Sequence, residues 1–332
     1  MTQQRINLDI IAGFLKEGTG YVSGAEMASK LGTSRASVWK AVGLLKKEGY
    51  MIDSSPAKGY LLVKSPDLCI RDLKRMISGA TERIGHELFF FDSVSSTNTV
   101  AMEGASRGCP DGTVMIADTQ TAGKGRLGRS WSSPPGKNLY VSIILRPEIS
   151  PRDATALTLL SAVACTSAIR RSTPVSISIK WPNDLMAGQR KLGGILTEIK
   201  ADIDRITYAV VGIGINVNLP SEDMPYEIKA IATSVMIETG ESCSRTDLAA
   251  ALIAEFDRWY GLLLTEGTAV IIDAWIGMSS TIGRQVLVAA ANQSFEGVAE
   301  GIDDEGILIV KLADGTYRKV SAGDVTVIRT KP

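Results

Sequence analysis

Histidine is almost absent: the chain carries one, His86, in 332 residues. A metal site built from several imidazoles is therefore excluded, and His86 itself reads as a surface or strand-edge residue. Cysteine is scarce and unpatterned. Cys69, Cys109, Cys165 and Cys243 show no C-x-x-C spacing, which argues against a zinc site or a disulfide framework and for reduced thiols in a cytoplasmic protein. No apolar run is long enough to span a bilayer, and no charged-then-apolar leader opens the chain, so no membrane partner is expected. Net charge is missing too: 36 basic residues balance 36 acidic ones. The whole molecule is not a polycation.

What is present is ordinary in amount and uneven in placement. Hydrophobic residues make up 45%, and the length suffices for two or three domains with their own cores. Residues 1–65 hold nine Lys/Arg against five Asp/Glu, a net +4 on an acidic remainder. That module alone invites a polyanion.

Three helices and a hairpin are legible in it. "LDIIAGFLKEG" puts Ile10, Ile11, Phe14 and Leu15 on one face. "SGAEMASKLG" opens with a capping box from Ser23 to Glu26. "TSRASVWKAVGLLKKEG" starts at a Thr33/Ser34 cap and carries Val38, Ala41, Val42 and Leu45 as its apolar stripe. Ser34, Arg35, Ser37, Lys40 and Lys47 are left for the other face. "YMIDSSPAKGYLLV" then reads as two short strands around a turn with Lys58 at its tip. Composition alone leaves a protein-interaction module open. The order of elements favours a winged helix-turn-helix, in which Ser34, Arg35, Ser37, Lys40 and Lys58 meet DNA. Residues 66–81 read as a linker with one helical segment, punctuated by Pro66 and Gly79.

From about residue 82 the pattern mixes strands with two long helices, as in an α/β or α+β domain. The stretch "GKGRLGRSW" (123–131) sets three glycines among three cations. It suits a ligand bearing carboxylate or phosphate, because bare backbone N–H groups and full positive charge converge there. It is neither a Walker A loop nor a dinucleotide fingerprint, and by itself a solvated charged turn explains it equally well. Three other polar stretches fall at strand ends. "KWPNDL" (180–185) offers Asn183 and Asp184, the latter a hard oxygen ligand for Mg²⁺. "RKLGGIL" (190–196) sets Lys191 and two glycines before a further strand. "GIGINVN" (212–218) ends the longest apolar run. Together with "DSVSSTN" (92–98) they point to one shared site. Residues 281–332 alternate short strands with Asp-Asp-Glu-Gly and Ala-Asp-Gly turns, the pattern of a small SH3-like β-barrel.

In this order, Ser96-Thr97-Asn98, the loop 120–131, Lys180 to Asp184, Arg190 to Leu196 and Gly212 to Asn216 closely resemble the biotin–protein ligases. With the winged helix in front, the chain resembles the bifunctional type that also represses the biotin operon. The resemblance implies an α+β multidomain protein. A winged helix-turn-helix (1–65) and a linker helix (66–81) would precede a class II synthetase-like α/β ligase domain (82–280) and the SH3-like domain (281–332). It implies ATP and biotin as substrates with Mg²⁺, a biotin carboxyl carrier domain and operator DNA as partners, and a homodimer. By position it implies biotin binding by Ser96, Thr97, Asn98, Gln120, Gly123, Lys124, Gly125, Arg126, Lys191 and Gly194. Lys191 and Arg126 would be catalytic. Arg129, Trp131, Asn183, Asp184 and Asn216 would serve ATP, with Asp184 on the metal. The family often has arginine at the place of Lys124, and the repressor type can have it at the place of Leu127. A lipoate-type ligase and a ligand-sensing repressor without catalysis are the competing readings. The DNA module weighs against the first, and Lys191 with the Gly/Arg loop against the second.

Overall fold

The computed structural model describes residues 3–290, 293–321 and 323–328. The ranges read above as 1–65 and 281–332 therefore run past the described residues at 1–2, 291–292, 322 and 329–332. The chain divides into two units, Met1–Leu73 and Lys74–Pro332.

The first unit holds α1 (Gln3–Glu17), α2 (Gly24–Lys30), α3 (Arg35–Lys47) and a hairpin of β1 (Met51–Ser55) and β2 (Gly59–Lys64). The stripe read on α3 is the buried one: Val38, Ala41, Val42 and Leu45 join Leu8, Ile11, Leu15 and Met27 in one core. Two details depart from expectation. The apolar face of α1 runs through Leu8, Ile11, Ala12 and Leu15, which leaves Ile10 40% exposed. The α2 cap is one-sided as well. Ser23 accepts from the Ala25 N–H at 3.2 Å, but the Glu26 carboxylate turns to Lys30 at 2.9 Å one helical turn on. A lysine at i+4 offers a full charge, so it outcompetes a backbone N–H for the glutamate.

The division between units cuts through the segment read as a linker. Its helix, α4 (Ile70–Ile77), begins inside the first unit. Arg71 there pairs with Glu48 at 2.7 Å and with Asp9 at 2.5 Å, and Asp72 pairs with Lys16.

The second unit is built on a seven-stranded sheet. Its strands are β3 (Leu88–Val94), β4 (Val114–Gln120), β5 (Leu139–Leu145), β6 (Ile177–Lys180), β7 (Asp184–Ala187), β8 (Arg190–Ala201) and β9 (Ile206–Ile215). Their order is β3-β4-β5-β9-β8-β7-β6, with β3 and β4 parallel and every other pair antiparallel. On one face lies α5 (Thr97–Ser106), whose Ala101 and Ala105 pack on Met115, Ile144 and Val210. On the other lie α6 (Thr155–Ser172), α9 (Arg245–Glu266) and α10 (Thr268–Met278). Two short helices, α7 (Tyr226–Lys229) and α8 (Val235–Thr239), intervene before α9. A second, five-stranded antiparallel sheet closes the chain. It comprises β10 (Gln285–Ala290), β11 (Gln293–Ile302), β12 (Leu308–Lys311), β13 (Tyr317–Val320) and β14 (Asp324–Val327), in the order β13-β12-β11-β10-β14.

The entry into this unit is pinned by one carboxylate. Asp257 on α9 accepts the backbone N–H groups of Glu82, Arg83 and Ile84 at 2.8–2.9 Å. Hydrogen bonds to a charged acceptor are stronger than neutral ones, and three donors lose their partner together. Asp257→Ala is expected to destabilise the second unit by about 3 kcal/mol, read as a lowered urea midpoint. An unchanged midpoint contradicts it. Cys69 and Cys165 are buried, Cys69 against the Tyr50 hydroxyl at 3.0 Å, and His86 is exposed. No helix among the described residues is long and apolar enough to cross a membrane.

Candidate functional site

The strand β9 explains its own sequence. Side chains alternate faces along a strand, so Val211, Ile213 and Ile215 turn to the core while Val210, Gly212 and Gly214 turn to the α5 face. Gly194 on β8 pairs with Gly214 and shares that face. The three glycines leave the sheet bare there. A Cβ at Gly214 would sit 2.7 Å from the Trp131 indole, and one at Gly194 3.3 Å from it. A Cβ at Gly212 would fall on the Asn98 amide. The glycine floor thus carries the Trp131 ring at one end and Asn98 at the other.

Lys191 and both glycines of "RKLGGIL" lie inside β8, not before it. The Lys191 ammonium stands 2.5 Å from Asp184 Oδ1 and 5.5 Å from the centre of the Trp131 ring. Its backbone is clasped by the segment after α7: Lys191 N–H donates to Ile231 O, and Thr233 N–H donates to Lys191 O. Asp184 opens β7 directly after the turn that holds the cis Trp181–Pro182 bond. Asn183, buried in that turn, accepts from Arg126 Nη1 at 2.9 Å and donates to Ile195 O at 2.7 Å. Arg126 is therefore held by Asn183, the residue next to the carboxylate that pairs with Lys191.

The Gly/Arg loop is a small hairpin. Gly125 N–H donates to Arg129 O, and Trp131 N–H donates to Gly123 O. Its tip carries Leu127 at φ 56° with the side chain 70% exposed, and Gly128 at φ 74°. A non-glycine residue in the left-handed region is strained by about 1 kcal/mol or more. Lys124 is exposed, and Arg129 pairs with Asp324 of β14.

At the opposite end of the floor, Gln120 Oε1 accepts from Thr97 N–H at 2.8 Å and from Thr97 Oγ1 at 3.2 Å. Ser142 Oγ bridges Thr97 Oγ1 and Asn98 Oδ1, while Asn98 Nδ2 donates to Glu198 at 2.8 Å. Ser96 precedes α5, yet its hydroxyl makes no cap bond. Asn216 sits apart from this set. Its amide donates to Thr233 O and accepts from Asn138.

In the first unit, Arg35, Ser37, Lys40 and Lys58 are exposed. Ser34 caps α3 by accepting from Ser37 N–H at 3.1 Å, and the two hydroxyls lie 2.9 Å apart. Lys58 stands over the Tyr21 ring at 5.5 Å.

Comparison with known proteins bears on both units. The biotin/lipoate A/B protein ligase family model matches residues 90–216, a biotin protein ligase C-terminal domain model 281–327, and a helix-turn-helix domain model 8–61. The bifunctional ligase/repressor BirA of Bacillus spizizenii is 38% identical over 96% of this chain and 97% of its own length. The chain belongs to the bifunctional biotin ligase/repressors. The Escherichia coli member of that name is 30% identical over 98% of each chain. A biotin protein ligase from Aquifex aeolicus, solved in complex with biotin and ATP, is 26% identical, with a TM-score of 0.63 over 74% of this chain and all of its own.

Within this biotin ligase/repressor, the ligase match runs from β3 to just past the end of β9 and takes in the central stretches singled out in the sequence, all but the last two residues of "GIGINVN". Several supporting residues carry no motif signal. Ser133 receives the Gln120 amide at 2.9 Å, Ser142 and Glu198 fix Asn98, and Asp324 receives Arg129 from far along the chain. The segment before β10 and the β11–β12 turn also hold Trp181: Thr281 Oγ1 accepts its backbone N–H, and Gly306 O its indole N–H. Only the folded chain brings these groups together.

Proposed function

We propose that this chain activates biotin with ATP and passes it to a lysine of a biotin carboxyl carrier domain, and that its winged helix binds operator DNA as a repressor. The observation that carries the reading is the convergence of Lys191, Asp184, Arg126 and Trp131 at one end of the glycine floor.

The biotin carboxylate attacks the α-phosphorus of ATP, an acyl–phosphate bond forms, and pyrophosphate leaves. The carrier lysine, as free amine, then attacks the acyl carbon; an amide forms and AMP leaves. Lys191 and Arg126 hold carboxylate and phosphate together and stabilise the charge that builds on the phosphoryl oxygens. Ser96, Thr97, Asn98 and Gln120 receive the polar head of biotin over the glycines, with Gly123, Lys124, Gly125 and Gly194 around its tail. Trp131, Arg129, Asn183 and Asn216 serve the nucleotide. Mg²⁺ fits here as a nucleotide-borne ion. Asp184 offers one hard carboxylate, and no cluster of three ligating side chains occurs among the described residues. Mg²⁺ usually keeps waters and takes its other ligands from phosphates, whose charge it neutralises. The reaction belongs in the cytoplasm, where ATP and free thiols coexist. We assign the four domains as 1–65, 66–81, 82–280 and 281–332, and a homodimer as the DNA-binding form.

Incubating the full chain with ATP, a carrier domain and either biotin or lipoate tests this. Biotin should appear on the carrier with release of AMP and pyrophosphate. Transfer of lipoate instead, or no transfer, overturns the reading. The Gly/Arg loop supplies a second check. Limited trypsin cleavage after Lys124, Arg126 or Arg129 should be suppressed by biotin with ATP, because a glycine-rich segment ordered on a ligand no longer fits a protease. Equal cleavage with and without ligands would remove the loop from the site.

A further inference from the structure

The recognition helix α3 presents a large apolar side chain to solvent. Trp39 is 67% exposed, the most exposed of the large hydrophobic residues described in the first unit. Its helical neighbours on that side are Ala36, three residues before, and Gly43, four after, and both are exposed. Gly43 lies in mid-helix, where glycine costs about 1 kcal/mol relative to alanine. No packing demands it, since a Cβ there would meet nothing within 4 Å. The same helix carries Arg35, Lys40, Lys46 and Lys47 and no acidic residue. An exposed tryptophan with Ala36 and Gly43 beside it, on a helix that carries four cations and no acid, is suited to approach a polyanion closely.

We propose that Trp39 reads operator sequence by apolar contact with thymine methyl groups in the major groove, Ala36 and Gly43 letting the helix approach the base edges. This rests on the repressor reading above. The major groove offers one apolar feature, the thymine C5 methyl. The surrounding cations meet phosphates, which carry no sequence information. A protein surface is the less fitting occupant, because the cations of a helix that carries no acidic residue would have to be desolvated with the indole.

The test uses the full chain with biotin and ATP. Wild-type protein first selects a duplex from a randomised pool. Affinities are then measured across a range of salt for wild type, Trp39→Ala, Trp39→Phe and Lys40→Ala. The probes are the selected duplex, the same duplex with deoxyuridine in place of thymidine, and a scrambled duplex. Trp39→Ala should lose roughly tenfold on the selected duplex, the scale of one lost base contact. It should lose little on the scrambled one, with the salt slope unchanged. On the uracil duplex, wild type and Trp39→Ala should bind alike, and Trp39→Phe should keep most of the preference for thymine. Lys40→Ala should weaken all three duplexes equally and lower the salt slope by about one. Wild-type affinity and salt slope of Trp39→Ala on the scrambled duplex show that its winged helix is folded, since Trp39 lies in the first unit and biotin transfer reads only the second. A wild-type ratio of selected to scrambled binding in Trp39→Ala overturns the proposal. A wild-type chain that selects no sequence overturns the repressor reading with it.

Discussion

Lys191→Ala is expected to slow formation of biotinyl-AMP by about a hundredfold or more, the loss found when one positioned electrostatic donor is removed from a reaction that builds oxyanion charge. The ammonium is already fixed in the structure. Asp184 holds it at 2.5 Å, the Trp131 ring covers it, and the segment 231–233 clasps its backbone. A group held in place before the substrates arrive spends no reorganisation energy when charge develops, so its loss falls on turnover more than on nucleotide binding. Single-turnover adenylate synthesis measures the effect. Non-specific DNA binding by the same variant should match wild type, since Lys191 lies in the second unit. Near-normal synthesis by Lys191→Ala would show that the role assigned to it is wrong.

Operator affinity is expected to rise by one to several orders of magnitude when biotin and ATP are both supplied. One winged helix with a net charge of +4 in its first 65 residues makes few phosphate contacts, and a single recognition helix discriminates poorly. Two modules joined in a dimer on two half-sites gain effective concentration without any new contact, typically 10²–10⁴ in avidity. The adenylate is the proposed trigger, acting by ordering the Gly/Arg loop on the ligase domain. Linkage requires reciprocity, so operator DNA should tighten adenylate binding by the same factor. Titration of a two-half-site duplex at fixed salt, with and without the substrates, measures this. An affinity indifferent to biotin and ATP would leave a ligase with an idle DNA module.

The α3 stripe shows why the N-terminal module was legible. Val38, Ala41, Val42 and Leu45 follow the helical period, and a helix of 13 residues must bury such a stripe somewhere. The sequence pattern does not separate Ile10 from Ile11 on the α1 face, because the two are equally apolar and only the packed neighbours choose between them. Likewise Glu26 obeys the capping-box spacing but pairs with Lys30, a choice between two local partners that spacing alone does not make.

Chemistry-bearing motifs, the mixed αβ pattern and the basic N-terminal module were determined by the sequence alone, because each depends on residues close together in the chain. The alternation of glycines with aliphatics in "VVGIGI" belongs there too: it encodes a strand with one buried face and one bare one. Tertiary structure decided which stretches meet. It placed Lys191 within a strand, against Asp184 across a β-bulge. It set Trp131 on glycines from two other strands, and it brought Asp324 to Arg129 from 195 residues away. Strand order, register and the docking of the C-terminal sheet arise from burial of side chains distant in sequence, and local pattern carries no record of which distant partner each will find.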